Sequence, residues 1–186
     1  MPATNHDKIV VLDRDGVINQ DSPDYIKSAD EWLPIPRSIE AIAQLHQAGF
    51  LVAVATNQSG LARDYFDAFT LAQIHQKLAM TVEAAGGLVS GIFYCPHGPD
   101  DGCTCRKPGV GLLQQIEAEL RVSLPGHCFI GDSLRDLQCA RDYAMQPVLV
   151  LSGNGIKTRE QLAENRLGDT PVFADLLDAV QQHILA

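Results

Sequence analysis

Basic clusters and long apolar runs are both missing from this sequence. Its 14 lysines and arginines are outnumbered by 23 aspartates and glutamates, for a formal net charge of −9. Proteins that bind nucleic acid usually present a basic face, which this composition does not offer. The longest apolar stretches, residues 50–55 and 147–151, fall well short of the roughly 20 residues of a membrane-spanning helix. We therefore expect no nucleic-acid partner and no membrane partner.

The N-terminal residues also lack the charged and then apolar pattern of a signal peptide, so we expect no export signal. The five cysteines are an odd number, which argues against a disulfide framework. We expect a cytoplasmic protein. With 186 residues, of which 46% are hydrophobic, the chain can bury one core but is short for two. A single domain over residues 1–186 is predicted, and we expect a monomer.

Short apolar stretches of strand character alternate along the chain with segments of helical spacing. The strand stretches show little alternation of polar and apolar residues, which indicates burial on both faces. This order predicts an α/β fold with a doubly wound parallel sheet, in which ligands bind at the carboxyl ends of the strands. The predicted strands are 8–12, 51–56, 91–94, 128–130 and 147–151, and the predicted helices are 37–48, 70–85, 111–120, 134–143 and 175–185.

Polar residues suited to phosphate chemistry follow or end several of these strands. Asp13 and Asp15 come directly after the first strand, Thr56 ends the second, and Asp132 follows the fourth. Lys107 supplies a cation just before a predicted helix. Each of these features alone is also typical of an ordinary turn. Because they converge on one edge of the predicted sheet, they favour a ligand site there.

In this order the segments DRDG, TNQSG, RKP and GDSLRD resemble the four motifs of the haloacid dehalogenase (HAD) superfamily. The resemblance covers nearly the whole chain. It implies a phosphatase in which Asp13 attacks phosphorus and forms an aspartyl-phosphate, while Asp15 serves as general acid and then as general base. It also implies that Thr56 donates a hydrogen bond to the transferring group.

The same resemblance implies a catalytic magnesium ion. A carboxylate and a phosphate repel each other, so the reaction needs a divalent cation with oxygen ligands. Those ligands would be Asp13, Asp132 and the backbone carbonyl of Asp15. Lys107 would neutralise the phosphoryl oxygens, and Asp136 is expected to brace Lys107 or its loop.

A compact cysteine loop precedes the third motif. Cys95, His97, Cys103 and Cys105 place four soft or borderline ligands within eleven residues, a set that suits tetrahedral zinc. With no position left for water, such a zinc would be structural and would hold the loop that leads into Arg106. The alternative is a chance cluster of reduced thiols beside a surface histidine.

The intervals between the motifs are too short for a cap domain, which predicts a capless phosphatase. With its cysteine loop, the chain is similar to the D,D-heptose 1,7-bisphosphate phosphatases and the related histidinol-phosphate phosphatases. The segments INQDSPDY, TNQSGLAR and CTCRKPGVG favour the heptose branch, which implies release of a 7-phosphate for lipopolysaccharide or surface-glycan precursors. Histidinol phosphate is the alternative substrate. The substrate-binding residues that this resemblance implies are Asn19, Gln20, Asp21, Ser22, Asn57, Gln58, Ser59, Arg106 and Lys107.

A different class of function is a zinc-stabilised interaction module without turnover, because a fold does not guarantee an activity. A degenerate member of the superfamily would be expected to lose Asp13 or Asp15. Both are present, together with Lys107 and Asp132. The sequence therefore favours the enzyme over the inert module.

Overall fold

A computed structural model describes residues 8–186 of the chain and centres on one parallel sheet. The six strands lie in the order β3-β2-β1-β4-β5-β6, and every neighbouring pair is parallel. In the centre of the sheet, Leu12 pairs with Val54 on one side and with Ile130 on the other. The strands are β1 Ile9–Leu12, β2 Leu51–Asn57, β3 Gly91–Cys95, β4 Cys128–Gly131, β5 Gln146–Val150 and β6 Val172–Phe173.

Helices cover both faces of this sheet. They are α1 Pro36–Gln47, α2 Ala68–Ala84, α3 Gly111–Leu120, α4 Leu134–Asp142, α5 Gly155–Glu160 and α6 Leu176–Ala179, which continues into a π-helical turn at Val180–Ile184. Alternate side chains of β1 enter two different cores. Val10 and Leu12 pack with α1, α2 and α6, while Ile9 and Val11 pack with α3 and α4. Burial of each such side chain contributes about 1.5–3 kcal/mol.

The predicted fold class, a doubly wound parallel α/β sheet, is confirmed. Each predicted strand is present with bounds within two residues, and so are the first four predicted helices. The last predicted helix is divided into α6 and the π-helical turn. Helix α5 and strand β6 were not predicted, because six and two residues are too few for a periodic pattern.

The capless arrangement is also confirmed. Between β1 and α1 the chain forms turns and two isolated bridges, Asp15 with Asn19 and Asn19 with Pro34. Between β2 and β3 lie only turns and α2. Residues 21–23 and 25–26 of the connection between β1 and α1 lie beside the residues at the carboxyl ends of the strands. Within residues 8–186, each helix is too short or too polar to cross a membrane.

Candidate active site

The strand order gathers the predicted catalytic residues at one edge of the sheet. β1 lies between β2 and β4, at the point where the winding of the sheet reverses, and ligands bind at this point in doubly wound folds. A cavity of about 240 Å³ opens there. The catalytic candidates that line it are Asp13, Asp15, Thr56, Lys107 and Asp132, and Asp136 lines it as well.

Lys107 is the buried centre of this cluster, with 2% of its side chain exposed. Its Nζ lies 2.8 Å from Asp13 Oδ1 and 2.6 Å from Asp136 Oδ1, and it donates to the carbonyl oxygen of Ala55 at 2.7 Å. All three ammonium protons are therefore used. Although burial opposes the charge, Asp13 and Asp136 raise the pKa of Lys107 above its usual value. The lysine is a fixed cation beside Asp13.

Asn57 holds the backbone of this lysine from the end of β2. The Asn57 side chain accepts a hydrogen bond from the Lys107 N–H at 3.0 Å and donates one to the Lys107 carbonyl at 3.1 Å. Asp136, in turn, accepts from the N–H of Ser133 at 3.0 Å and from its hydroxyl at 2.6 Å, at the start of α4. The expected bracing of Lys107 by Asp136 matches this geometry.

Asp13, Asp132 and Asp136 can each offer a carboxylate oxygen to a common point, since these oxygens lie within 4.8 Å of one another. Burial raises the pKa of Asp13 well above its usual value, and the carboxylates of Asp136 and Asp132 raise it further against the opposing effect of Lys107. Burial and the Asp136 carboxylate raise the pKa of Asp132 to about 7. Crowded carboxylates of this kind are a donor set that a hard divalent cation stabilises.

Two glycines leave room for the Asp132 carboxylate. Gly16 has φ +80° and Gly153 has φ +57°, both in the left-handed region. A Cβ atom at either position would collide with Asp132 Oδ2. That oxygen accepts a hydrogen bond from the N–H of Asn154 at 2.7 Å, in the loop after β5. The loop after β5 thus belongs to the site, which the sequence motifs did not indicate.

The Asp15 side chain lines the same cavity but is not part of this carboxylate cluster. It accepts hydrogen bonds from Asn19 Nδ2 at 2.9 Å and from Gln58 Nε2 at 3.0 Å, and it forms an ion pair with Arg14. Burial alone would raise the pKa of Asp15, but Arg14, Asn19 and Gln58 together hold it below its usual value. Both side-chain oxygens accept from these donors. The Asp15 backbone carbonyl, rather than the side chain, is therefore the group suited to bind a metal ion.

The predicted substrate residues are distributed unevenly. Asp21, Ser22, Asn57 and Gln58 line the cavity, together with Lys107. The structure does not place Asn19, Gln20 or Ser59 among the residues that line it, and Asn19 lies fully buried beneath Asp15.

Two arginines define a second cavity beside the first. Arg106 and Arg135 line this adjoining space of about 290 Å³, and Arg135 also lines the catalytic cavity. Arg135 was not singled out from the sequence, although it lies within the fourth motif directly before Asp136. A cation in the first turn of α4, next to the phosphate site, is the signal that could have identified it.

The cysteine loop forms a compact four-ligand cluster. Cys95 Sγ lies 3.6 Å from Cys103 Sγ and 3.2 Å from Cys105 Sγ, and His97 Nδ1 lies 3.3 Å from Cys105 Sγ. All four ligand atoms lie within 4.8 Å of one another. Thiolates around tetrahedral zinc lie about 3.8 Å apart, so a small contraction or expansion accommodates the ion. The cluster could hold zinc, and none of its cysteines forms a disulfide.

The strand order and the pairing of a buried lysine with a strand-end aspartate define a HAD-like hydrolase. In agreement, the HAD-hydrolase-like family model matches residues 104–179. The D-glycero-β-D-manno-heptose-1,7-bisphosphate 7-phosphatase of Pseudomonas aeruginosa is 59% identical over 168 residues, which are 90% of this chain and 93% of that protein. The chain belongs to the family of heptose 1,7-bisphosphate phosphatases, and the resemblance drawn from the motifs is confirmed.

Solved structures agree with this assignment. The D,D-heptose 1,7-bisphosphate phosphatase from Bordetella bronchiseptica, complexed with magnesium and phosphate, matches with a TM-score of 0.89 at 50% identity, over 96% of this chain and 98% of that one. The corresponding enzyme from Burkholderia thailandensis matches with a TM-score of 0.72 at 37% identity, over 96% of this chain and 99% of that one.

Proposed function

We propose that this protein hydrolyses the 7-phosphate of D-glycero-D-manno-heptose 1,7-bisphosphate and releases heptose 1-phosphate and inorganic phosphate. The observation that carries the proposal is the contact of the buried Lys107 with Asp13 at the carboxyl end of β1, in a chain 59% identical to a phosphatase of that name. The name of that relative specifies the β anomer, which we propose as the substrate here. The product would serve lipopolysaccharide or surface-glycan precursor synthesis.

In the first step a carboxylate oxygen of Asp13 attacks phosphorus, and the bond between phosphorus and the C7 oxygen breaks. The proton that the departing oxygen needs comes from Asp15 as general acid. The negative charge of the bound phosphate favours the protonated form of Asp15, against the lowering effect of Arg14 in the free protein. The result is an aspartyl-phosphate on Asp13.

In the second step a water molecule attacks this aspartyl-phosphate. Asp15, now a carboxylate, accepts the water proton as general base, while the bond between phosphorus and the Asp13 oxygen breaks. Inorganic phosphate leaves and the free carboxylate of Asp13 is restored. Asp15 thus serves both steps: it donates a proton to the leaving group in the first and accepts one from water in the second.

Thr56 binds a phosphoryl oxygen in both steps, while the fixed positive charge of Lys107 neutralises the phosphoryl group. The Thr56 hydroxyl oxygen accepts a hydrogen bond from Gln58 Nε2 at 2.9 Å, which leaves its own proton free for a phosphoryl oxygen. Asp13, Asp132 and the backbone carbonyl of Asp15 would hold magnesium. When bound, the ion supplies positive charge that offsets the repulsion between the nucleophile and the phosphate.

We place the 1-phosphate of the substrate near Arg106 and Arg135, in the cavity that adjoins the catalytic one. Two guanidinium groups suit a phosphate dianion. They would repel the protonated amine of histidinol phosphate, which bears a cation where the bisphosphate bears its second anion. This charge difference favours the heptose bisphosphate over the alternative substrate.

We also propose that residues 1–186 form a single domain that acts as a cytoplasmic monomer. The one parallel sheet with helices on both faces supports a single domain, and the need of the cysteine cluster for reduced thiols supports a cytoplasmic location. Light scattering of the purified protein tests the oligomeric state. A stable dimer in solution would contradict the proposed monomer.

Phosphate release tests the proposed activity directly. Three substrates would be compared at matched concentrations with magnesium, using Asp13→Asn as the blank. They are the α and β anomers of heptose 1,7-bisphosphate, and histidinol phosphate. We expect the β-bisphosphate to give the highest kcat/KM. A preference for histidinol phosphate would overturn the substrate assignment but not the assignment of Asp13 as nucleophile. Activity in the Asp13→Asn blank would overturn the assignment of the nucleophile.

A further inference from the structure

Arg14 lies between the two catalytic aspartates yet is almost completely buried, with 1% of its side chain exposed. Its guanidinium donates three hydrogen bonds to the Asp15 carboxylate. Nε donates to Oδ1 at 3.0 Å, and Nη2 donates to Oδ1 at 2.8 Å and to Oδ2 at 2.9 Å. Such a fork fixes the plane of a carboxylate as well as its position.

The other end of the guanidinium is held by helix α2. Arg14 Nη1 lies 3.3 Å from His75 Nε2. Because arginine can only donate, His75 Nε2 accepts, so the ring is neutral and carries its proton on Nδ1. Burial and the Arg14 cation lower the pKa of His75 to about 3, which keeps the ring neutral at physiological pH. The ring also contacts Tyr94 edge-on, with centroids 5.7 Å apart.

Asp15 therefore has donors on both of its oxygens from three residues in two segments. Asn19 reaches Oδ1 and Gln58 reaches Oδ2, while Arg14 reaches both. An acid–base group must keep one oxygen aimed at the reacting atom, because proton transfer depends on alignment. Of the three donors, only Arg14 sets the plane of the carboxylate by contacts to both oxygens.

We propose that Arg14, braced by His75, is a positioning residue that holds the Asp15 carboxylate in the orientation required for its proton transfers. This inference rests on the proposed role of Asp15 as general acid and base. Although Arg14 lines the catalytic cavity, its guanidinium is engaged by Asp15 and His75, so it acts on the reaction through Asp15. A purely structural role for Arg14 would instead affect all substrates equally.

The leaving group distinguishes these two roles. A sugar alkoxide needs a proton to depart, whereas p-nitrophenolate leaves without one. The parameter kcat/KM reports the steps up to departure of the leaving group when that step is irreversible. Loss of Asp15 alignment should therefore lower kcat/KM for heptose bisphosphate and largely spare p-nitrophenyl phosphate.

The experiment compares Arg14→Gln, Arg14→Lys and Asp15→Asn on both substrates with magnesium present. We expect Arg14→Gln to lower kcat/KM roughly 30-fold on the bisphosphate and less than about threefold on the aryl phosphate. Arg14→Lys keeps the charge but lacks the fork, so it should resemble Arg14→Gln. Arg141→Gln is the matched control, since Arg141 pairs with its neighbour Asp142 on the exposed surface of α4. This variant should leave kcat/KM unchanged on both substrates.

Equal losses on both substrates in Arg14→Gln would overturn the inference, provided that Asp15→Asn still discriminates between them. If Asp15→Asn itself does not discriminate, the proposed acid role of Asp15 fails instead. Should the Arg14 variants not fold, His75→Leu removes the acceptor that braces the guanidinium. This variant should also lower kcat/KM mainly on the bisphosphate, by a smaller factor of roughly threefold to tenfold. An equal loss of kcat/KM on both substrates would count against the proposal.

Discussion

Lys107 Nζ lies 2.8 Å from Asp13 Oδ1, and both side chains are largely withdrawn from water, with 2% and 13% of their surface exposed. The lysine stabilises the ionised aspartate, yet burial and two further carboxylates oppose that ionisation. In the absence of a bound divalent cation, the folded protein therefore disfavours the ionised form of Asp13 that the reaction needs. Reactive sites commonly lower stability in this way.

Asp13→Asn should nearly abolish turnover, by on the order of 10³-fold or more, because the amide cannot form the aspartyl-phosphate. In the absence of magnesium the same variant should be more stable than the parent protein, since a neutral group replaces a carboxylate whose pKa burial raises. Thermal denaturation in EDTA measures this, with zinc content checked in parallel.

Magnesium supplies the control for this comparison. It should raise the melting temperature of the parent protein and raise that of Asp13→Asn much less, because one ligand is lost. Retained activity in Asp13→Asn would exclude Asp13 as the nucleophile. A variant less stable than the parent in EDTA would show that the contact with Lys107 outweighs burial and repulsion.

Stability should also fall as pH rises toward neutrality when no divalent cation is present. The folded-state pKa of Asp132 is raised to about 7, above its unfolded value. Between the unfolded pKa, about 4, and pH 7 the folded protein therefore binds the extra proton, and this contribution disappears as pH rises through the folded value. Asp13 shifts in the same direction.

Melting temperatures at pH 5 and pH 8 in EDTA, and again with magnesium, measure this effect. Magnesium should remove most of the decline, because it favours the ionised carboxylates. Asp132→Asn should reduce the decline in EDTA. Asp15, whose pKa is lowered, contributes with the opposite sign, and its share is lost only in more acidic solution. No decline between pH 5 and 8 in EDTA would refute the account of crowded carboxylates.

Much of the site could be predicted because a parallel sheet turns chain order into spatial position. Asp13, Thr56 and Asp132 lie at strand ends in the sequence, and such ends meet at one edge. The contact between Arg14 and His75 could not be predicted, since 61 positions separate the two residues and only the packing of α2 brings them together. Asn154 likewise depends on a loop after β5 that has no sequence pattern of its own.

Cys103→Ser should lower zinc content and stability together. The variant removes one of four ligands in a closed cluster, and metal binding to such a cluster contributes directly to folding. Cys128→Ser is the matched control, because Cys128 lies outside the cluster and contacts Gln146. Metal analysis and melting temperature measure both variants. A Cys103 variant with full zinc and unchanged stability would rule out a zinc site made of these four residues.

The zinc cluster should also affect catalysis through Arg106, whose Nη1 donates to the carbonyl of His97 at 3.2 Å. If zinc holds this loop, its removal by a chelator should raise KM for the bisphosphate more than it lowers kcat. Steady-state kinetics before and after chelation, with magnesium restored in excess, measure this split. An unchanged KM after verified zinc loss would separate the cluster from substrate binding.

Arg135 provides the sharpest test of where the second phosphate binds. Its side chain lines both cavities, so Arg135→Gln should lower kcat/KM for heptose 1,7-bisphosphate about tenfold or more, as expected for loss of a charged hydrogen bond. Heptose 7-phosphate, which lacks the distal phosphate, should be affected much less. Arg159→Gln is the matched control, an exposed arginine on α5 outside both cavities. If Arg135→Gln lowers kcat/KM equally on the two sugars, the arginine acts on the transferring phosphate and the distal phosphate binds elsewhere.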